Sequence, residues 1–104
     1  MSRPDLTVGR GVITELITLA AFEVPGVARV GFAGPAWRRL LAGPAVRVRV
    51  TDDRVLVRLH VVARPGQVLE PLAAQVRSAV AATVERLLGL DLGAVTVIVD
   101  GVGG

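Results

Sequence analysis

Chemistry in this chain would have to start from very few residues. It has one histidine, His60, two serines, Ser2 and Ser78, and no lysine, tyrosine or cysteine. Most pairings of a nucleophile with a base need at least one of the missing types. His60 lies in the alternating stretch Val57-Arg58-Leu59-His60-Val61, with no second histidine to share a metal and no serine nearby in sequence. That is the setting of a structural or surface histidine rather than of a metal ligand or a triad base. Asp52 and Asp53 are adjacent carboxylates. Two neighbours seldom converge on one ion without further carboxylates, so they read as a hairpin turn. Gly9-Arg10-Gly11 lacks both the third glycine and the lysine that phosphate-binding loops use. Without cysteine there is no disulfide, no thiolate nucleophile and no Cys-bound metal. The inventory assigns no catalytic, metal or cofactor-binding residue, and the expectation is a protein that is not an enzyme.

What remains is arginine. All twelve basic residues are Arg, and nine carboxylates leave a net charge of +3. The question is which elements hold these side chains, and where.

Residues 11 to 24 place Val12, Ile13, Leu16, Ile17, Ala20 and Val24 on one face at helical spacing, which predicts a helix ended by Pro25-Gly26. Leu6-Thr7-Val8 before it reads as a short strand or an extended arm. From Gly26 to Gly43 the pattern is irregular. Val27 to Val30 fits an extended segment, and Ala36-Trp37-Arg38-Arg39-Leu40-Leu41 fits one or two helical turns. Val46 to Val50 and Val55 to Val61 alternate as strands. A tight hairpin through Thr51-Asp52-Asp53-Arg54 would set Val50 against Val55, Val48 against Val57 and Val46 against Leu59, with Arg47 across from Arg58 on the opposite face. A second helix over about 69 to 88 carries the stripe Leu72, Val76, Val80, Val84 and Leu88, with Pro71 in its first turn and Gly89 as its stop. A last strand over 94 to 99 turns Val95, Val97 and Val99 to the core and Thr96, Ile98 and Asp100 to the other face. The tail from Gly101 to Gly104 is expected to fray.

These elements predict an α+β fold. It is a two-layer sandwich of two amphipathic helices on one face of a three- to four-stranded, mainly antiparallel sheet, in the order (β)αββαβ. The other sheet face stays uncovered, because a face carrying this much charge does not sit under an apolar layer. With 104 residues, 52% of them hydrophobic, the chain suits one domain over 1–104, with a core over 5–102 and a flexible tail at 103–104. Only 3% of residues are aromatic, so Val, Leu and Ala must fill that core. No apolar run reaches the length of a membrane span, and the N-terminus shows no export signal, which together predict a cytoplasmic protein.

Glu23-Val24-Pro25-Gly26-Val27 after an amphipathic helix, the strand ending Leu59-His60-Val61-Val62, and Gly89-Leu90 followed by Val95-Thr96-Val97-Ile98-Val99-Asp100-Gly101-Val102 recur in one order and spacing. In this the chain resembles the alkaline shock protein family of bacteria, the envelope stress response group also classed as a domain of unknown function. The likeness runs from about Leu6 to Val102. It implies a small, cytoplasmic, non-enzymatic protein tied to cell-envelope stress or homeostasis, acting by self-association or by docking to a partner protein. Some members of that family associate with the membrane through a partner, which extends the expectation to indirect membrane association. The likeness brings no catalytic residues. The exclusive use of Arg and the segment from Gly31 to Gly43 are this chain's own.

Two surfaces could do the docking. On the open sheet face lie Arg47, Arg49, Arg58 and His60, with Leu56, Val62 and Ile98 interleaved. It is either a solvated face, its Arg stems covering apolar neighbours, or a docking surface of the kind in which Arg is enriched. The like-charged pair Arg47 and Arg58 costs stability unless a partner or a carboxylate such as Asp100 compensates. The second surface is Trp37-Arg38-Arg39-Leu40-Leu41. Trp37 either caps the edge of the core or serves as a partner hot spot or membrane-surface contact. The alternative function is a KH-like RNA-binding module using the Arg-rich sheet face and the loop Gly31-Phe32-Ala33-Gly34, which fits the G-x-x-G loop of KH domains. The Phe and Ala within it are poorly suited to a nucleic-acid backbone, so nucleic acid is an unlikely partner, and no small-molecule substrate is expected.

Overall fold

A computed structural model describes residues 10–103 apart from 53 and 90. The elements follow in the order α1 (Arg10–Phe22), β1 (Val27–Val30), α2 (Ala36–Ala42), β2 (Val46–Thr51), β3 (Arg54–Ala63), α3 (Leu69–Thr83) and β4 (Asp91–Val102), with a π-helical turn over Val84–Leu88 after α3.

The ten-residue strand β3 organises the sheet. β2 pairs with it antiparallel in the register expected of the hairpin, Val50 with Val55, Val48 with Val57 and Val46 with Leu59. Asp52 takes the left-handed backbone (φ 49°) that such a tight turn requires. β1 pairs antiparallel with the far end of β3, Val30 opposite Val61. The segment left as merely extended is therefore a strand, and it supplies the sheet's fourth member. The proposed strand at Leu6 to Val8 lies outside the described residues. β4 runs parallel to β3 along its whole length, from Arg54 opposite Asp91 to Ala63 opposite Val102. Parallel neighbours need a crossover, and α3 is that crossover. The sheet is thus antiparallel at two of its pairings and parallel at one.

α1 and α3 lie together on one face. The core they close over includes Ile13, Ile17, Ala21, Val24, Val55, Val57, Leu59, Val61, Leu72, Val76, Val80 and Val84, all buried. Along α3 and into the turn that follows it, Leu72, Val76, Val80 and Val84 step by four residues, keeping one side chain per turn against the sheet. Val95, Val97 and Val99 of β4 pack on this core, as their alternation predicts. Gly26 follows α1 at φ +100°, a backbone conformation that L side chains rarely adopt, and this is what requires a glycine there.

Some expectations fail at the ends of elements, where periodicity carries least information. Val12 is 50% exposed rather than core. The helix predicted to 88 changes to the wider π-helical turn after Thr83. β4 is twelve residues long, not six. Gly101 and Val102 belong to it, and the amide of Gly103 donates to Ala63 O at 2.8 Å, so the described part of the tail is held. Among the described residues no helix is long and apolar enough to cross a membrane.

Candidate protein-docking surface

The face of the sheet turned away from α1 and α3 divides into two halves. In the first, alternation along β2 and β3 projects Arg47, Arg49, Leu56 and Arg58 outward. The parallel register of β4 adds Ala94 beside Leu56 and Thr96 beside Arg58. Together they line a shallow groove of about 670 Å³. Arg47 stands directly opposite Arg58, as the hairpin register predicts. Among the described residues no carboxylate lies within ion-pair distance of any of these three guanidinium groups. The expected compensation by Asp100 does not occur, because Asp100 is committed elsewhere.

The second half is covered. Where β4 passes Val61 and Val62 the register shifts by one residue, pairing Val99 with Val61 and Gly101 with Val62 and leaving Asp100 as the extra residue of a bulge. Bulges re-aim the side chain they carry. Here Asp100 Oδ2 accepts a hydrogen bond from the Ala33 amide at 2.8 Å. Its Oδ1 lies 3.8 Å from Nδ1 of His60, which has no hydrogen-bond partner among the described residues. The Phe32 ring rests on the His60 imidazole, centroids 4.3 Å apart. The amide of Gly31 donates to His60 O at 2.9 Å, and Arg29 Nη2 donates to Phe32 O at 3.2 Å. The loop after β1 is therefore laid across the sheet. Val62, expected on an open face, is 2% exposed beneath this end.

This separates the residues that sequence pattern grouped together. Arg47, Arg49, Leu56 and Arg58 share one groove, whereas His60 and its register partner Ile98 lie beyond it, His60 under the loop. Trp37, Arg38 and Arg39 sit on α2, which has no buried residue and does not line the groove. Trp37 does not cap the core: it is 63% exposed. The Gly31 to Gly34 loop joins a strand to a helix, while the corresponding KH loop joins two helices. The roles of Phe32, Ala33 and the Asp100 bulge escaped sequence reading. The glycine after Asp100 was the available signal, since a Cβ on Gly101 would meet that of Ala33 at 2.8 Å.

Among the described residues no three His, Cys, Asp or Glu side chains are grouped so as to hold a metal.

Comparison with known proteins agrees in fold and family. The family model of alkaline shock protein 23, described as having a cell envelope-related function, matches residues 2–103. Among solved structures, the MamM C-terminal domain in a manganese form is 19% identical, with a TM-score of 0.65 over 89% of this chain and 99% of that one. The same domain in a copper form is 18% identical, with a TM-score of 0.64 over 88% of this chain and 85% of that one. At such identities the likeness is one of fold. No curated protein matches the chain in sequence.

Proposed function

This chain belongs to the alkaline shock protein 23 family, of cell envelope-related function, and we propose that it acts there as a cytoplasmic, non-enzymatic docking module. Its partner is a second copy or another protein, held on the Arg47, Arg49 and Arg58 half of the sheet face. Any contact with the membrane through this face is indirect, made by the partner.

The observation that carries this reading is the groove itself. Three guanidinium groups line it around Leu56 and Thr96, two of them directly opposed, with no carboxylate among the described residues in ion-pair range. Opposed like charges on a sheet weaken it, and an acidic partner surface removes that penalty while gaining charge-assisted hydrogen bonds. The metals named for the MamM domain are not carried over, since at 18–19% identity the likeness is one of fold.

The test is charge reversal. Arg47→Glu with Arg58→Glu inverts the field of the groove and leaves Val46, Val48, Val57 and Leu59 in place. Sedimentation at tens of micromolar, with circular dichroism as the folding control, should show a wild-type complex that the variant loses. Association that is unchanged in the folded variant overturns the assignment of this face. A wild type that is monomeric throughout removes self-association and leaves a heterologous partner, to be sought by crosslinking in cells.

A further inference from the structure

α2 carries an apolar stripe that covers nothing. Trp37, Leu40 and Leu41, spaced i, i+3, i+4, share one side of the helix and are 63%, 83% and 79% exposed. None of the seven residues of α2 is buried. The helix is held at its start by Pro35 O, which accepts from the Arg38 and Arg39 amides at 3.1 and 3.2 Å, and it ends at Gly43, φ +83°. A helix this short is marginal in water unless something packs against its apolar side. The surrounding charge is one-sided: residues 24 to 51 contain five arginines and no carboxylate.

We propose that α2 is a direct contact for an anionic membrane surface, with Trp37, Leu40 and Leu41 entering the boundary between headgroups and acyl chains, Arg38 at the side of the stripe lying against lipid phosphates, and Arg39 adding positive charge from the far side of the helix. Three side chains fall far short of the roughly 20–30 residues a side of a stable protein interface. The stripe is well sized for shallow insertion, in which a Trp and two Leu enter and a flanking Arg stem keeps its head among the phosphates. The absence of carboxylates over the whole stretch removes the repulsion that an acidic side chain near anionic lipid would add. This contact is separate from the sheet-face groove, and each stands or falls without the other.

Trp37 is the sole tryptophan of the chain, so its fluorescence reports on α2 alone. The full chain is titrated with vesicles of phosphatidylcholine, and with vesicles in which roughly a third of the lipid is phosphatidylglycerol. The expected result is a blue shift and co-sedimentation with the anionic vesicles only, weakening as salt is raised. Leu40→Glu with Leu41→Glu should lower partitioning by about tenfold or more. Arg38→Gln with Arg39→Gln should weaken the dependence on anionic lipid while leaving both leucines in place. Neither pair touches the core, and circular dichroism checks that both variants are folded. The proposal is overturned by the absence of any shift with anionic vesicles, or by equal binding to neutral ones. It is also overturned by undiminished binding of the Leu variant, or by a blue shift that grows with protein concentration without lipid, which would give the stripe to a second copy.

Discussion

α3 and α2 are built from the same kind of sequence and end in opposite surroundings. Each spaces large apolar residues so that they fall on one side. On α3 that side, Leu72, Val76 and Val80, is at most 1% exposed against the sheet, whereas on α2 Leu40 and Leu41 stand about four-fifths in water. Length accounts for much of the difference. Fifteen residues let α3 lie across the sheet as the crossover between β3 and β4, while seven residues between β1 and β2 leave α2 outside the core. An apolar stripe therefore predicts a surface that will be covered, without saying whether by the chain itself or by something else. The open sheet face repeats the contrast on one surface: the His60 half is covered by the chain's own loop, and the arginine half is left open.

The contrast breaks most visibly at Val80, which is fully buried. Val80→Asp is expected to cost about 3 kcal/mol or more, because an unpaired carboxylate has no compensating partner there. In a domain whose whole stability is on the order of 5–15 kcal/mol this unfolds a large share of the molecules or lowers the melting point steeply. Thermal melts followed by circular dichroism measure it. A wild-type melting curve would put the wrong face of α3 on the sheet.

A smaller effect is expected at the covered half of the open face. Asp100 fastens the loop through one hydrogen bond to the Ala33 amide, 2.8 Å long. Asp100→Ala should cost about 1 kcal/mol, the worth of one such bond. It should also speed hydrogen exchange at Ala33, leaving the amides of β2 and β3 as slow as before. Equal exchange at Ala33 in the two proteins would mean that Phe32 on His60 holds the loop unaided.

Much of this fold is legible in sequence because most of it rests on periodicity. The period of two in Val46 to Val61 sets the faces of the hairpin and its register, and the four-residue steps from Leu72 to Val84 set the face of α3. Arg47, Arg49, Leu56 and Arg58 could be grouped for the same reason. Periodicity does not say which strand a crossover returns beside, so the parallel docking of β4, which brings Ala94 and Thr96 to the groove, was not legible. Bulges also break the rule by which faces are read. One extra residue at Asp100 turns a carboxylate expected to compensate arginines toward Ala33 and His60 instead. Of the two readings of Trp37, the core edge rested on the tendency of a large aromatic to be buried in part, which its seven-residue helix overrides.

The smallest effect sharpens the contrast furthest. Leu40→Asp makes the same kind of change as Val80→Asp, an aliphatic side chain exchanged for a carboxylate at a helical position. Leu40 is 83% exposed, so the new carboxylate stays hydrated and leaves no cavity. Only helix propensity and the lost Leu remain, and the expected change in stability is within about 0.5 kcal/mol, typical of surface substitutions. Chemical denaturation of the monomer should give a midpoint and slope close to wild type. A loss approaching that of Val80→Asp would mean that α2 packs on the domain in solution. The stripe would then belong to the core, and neither a membrane nor a partner would be needed to cover it.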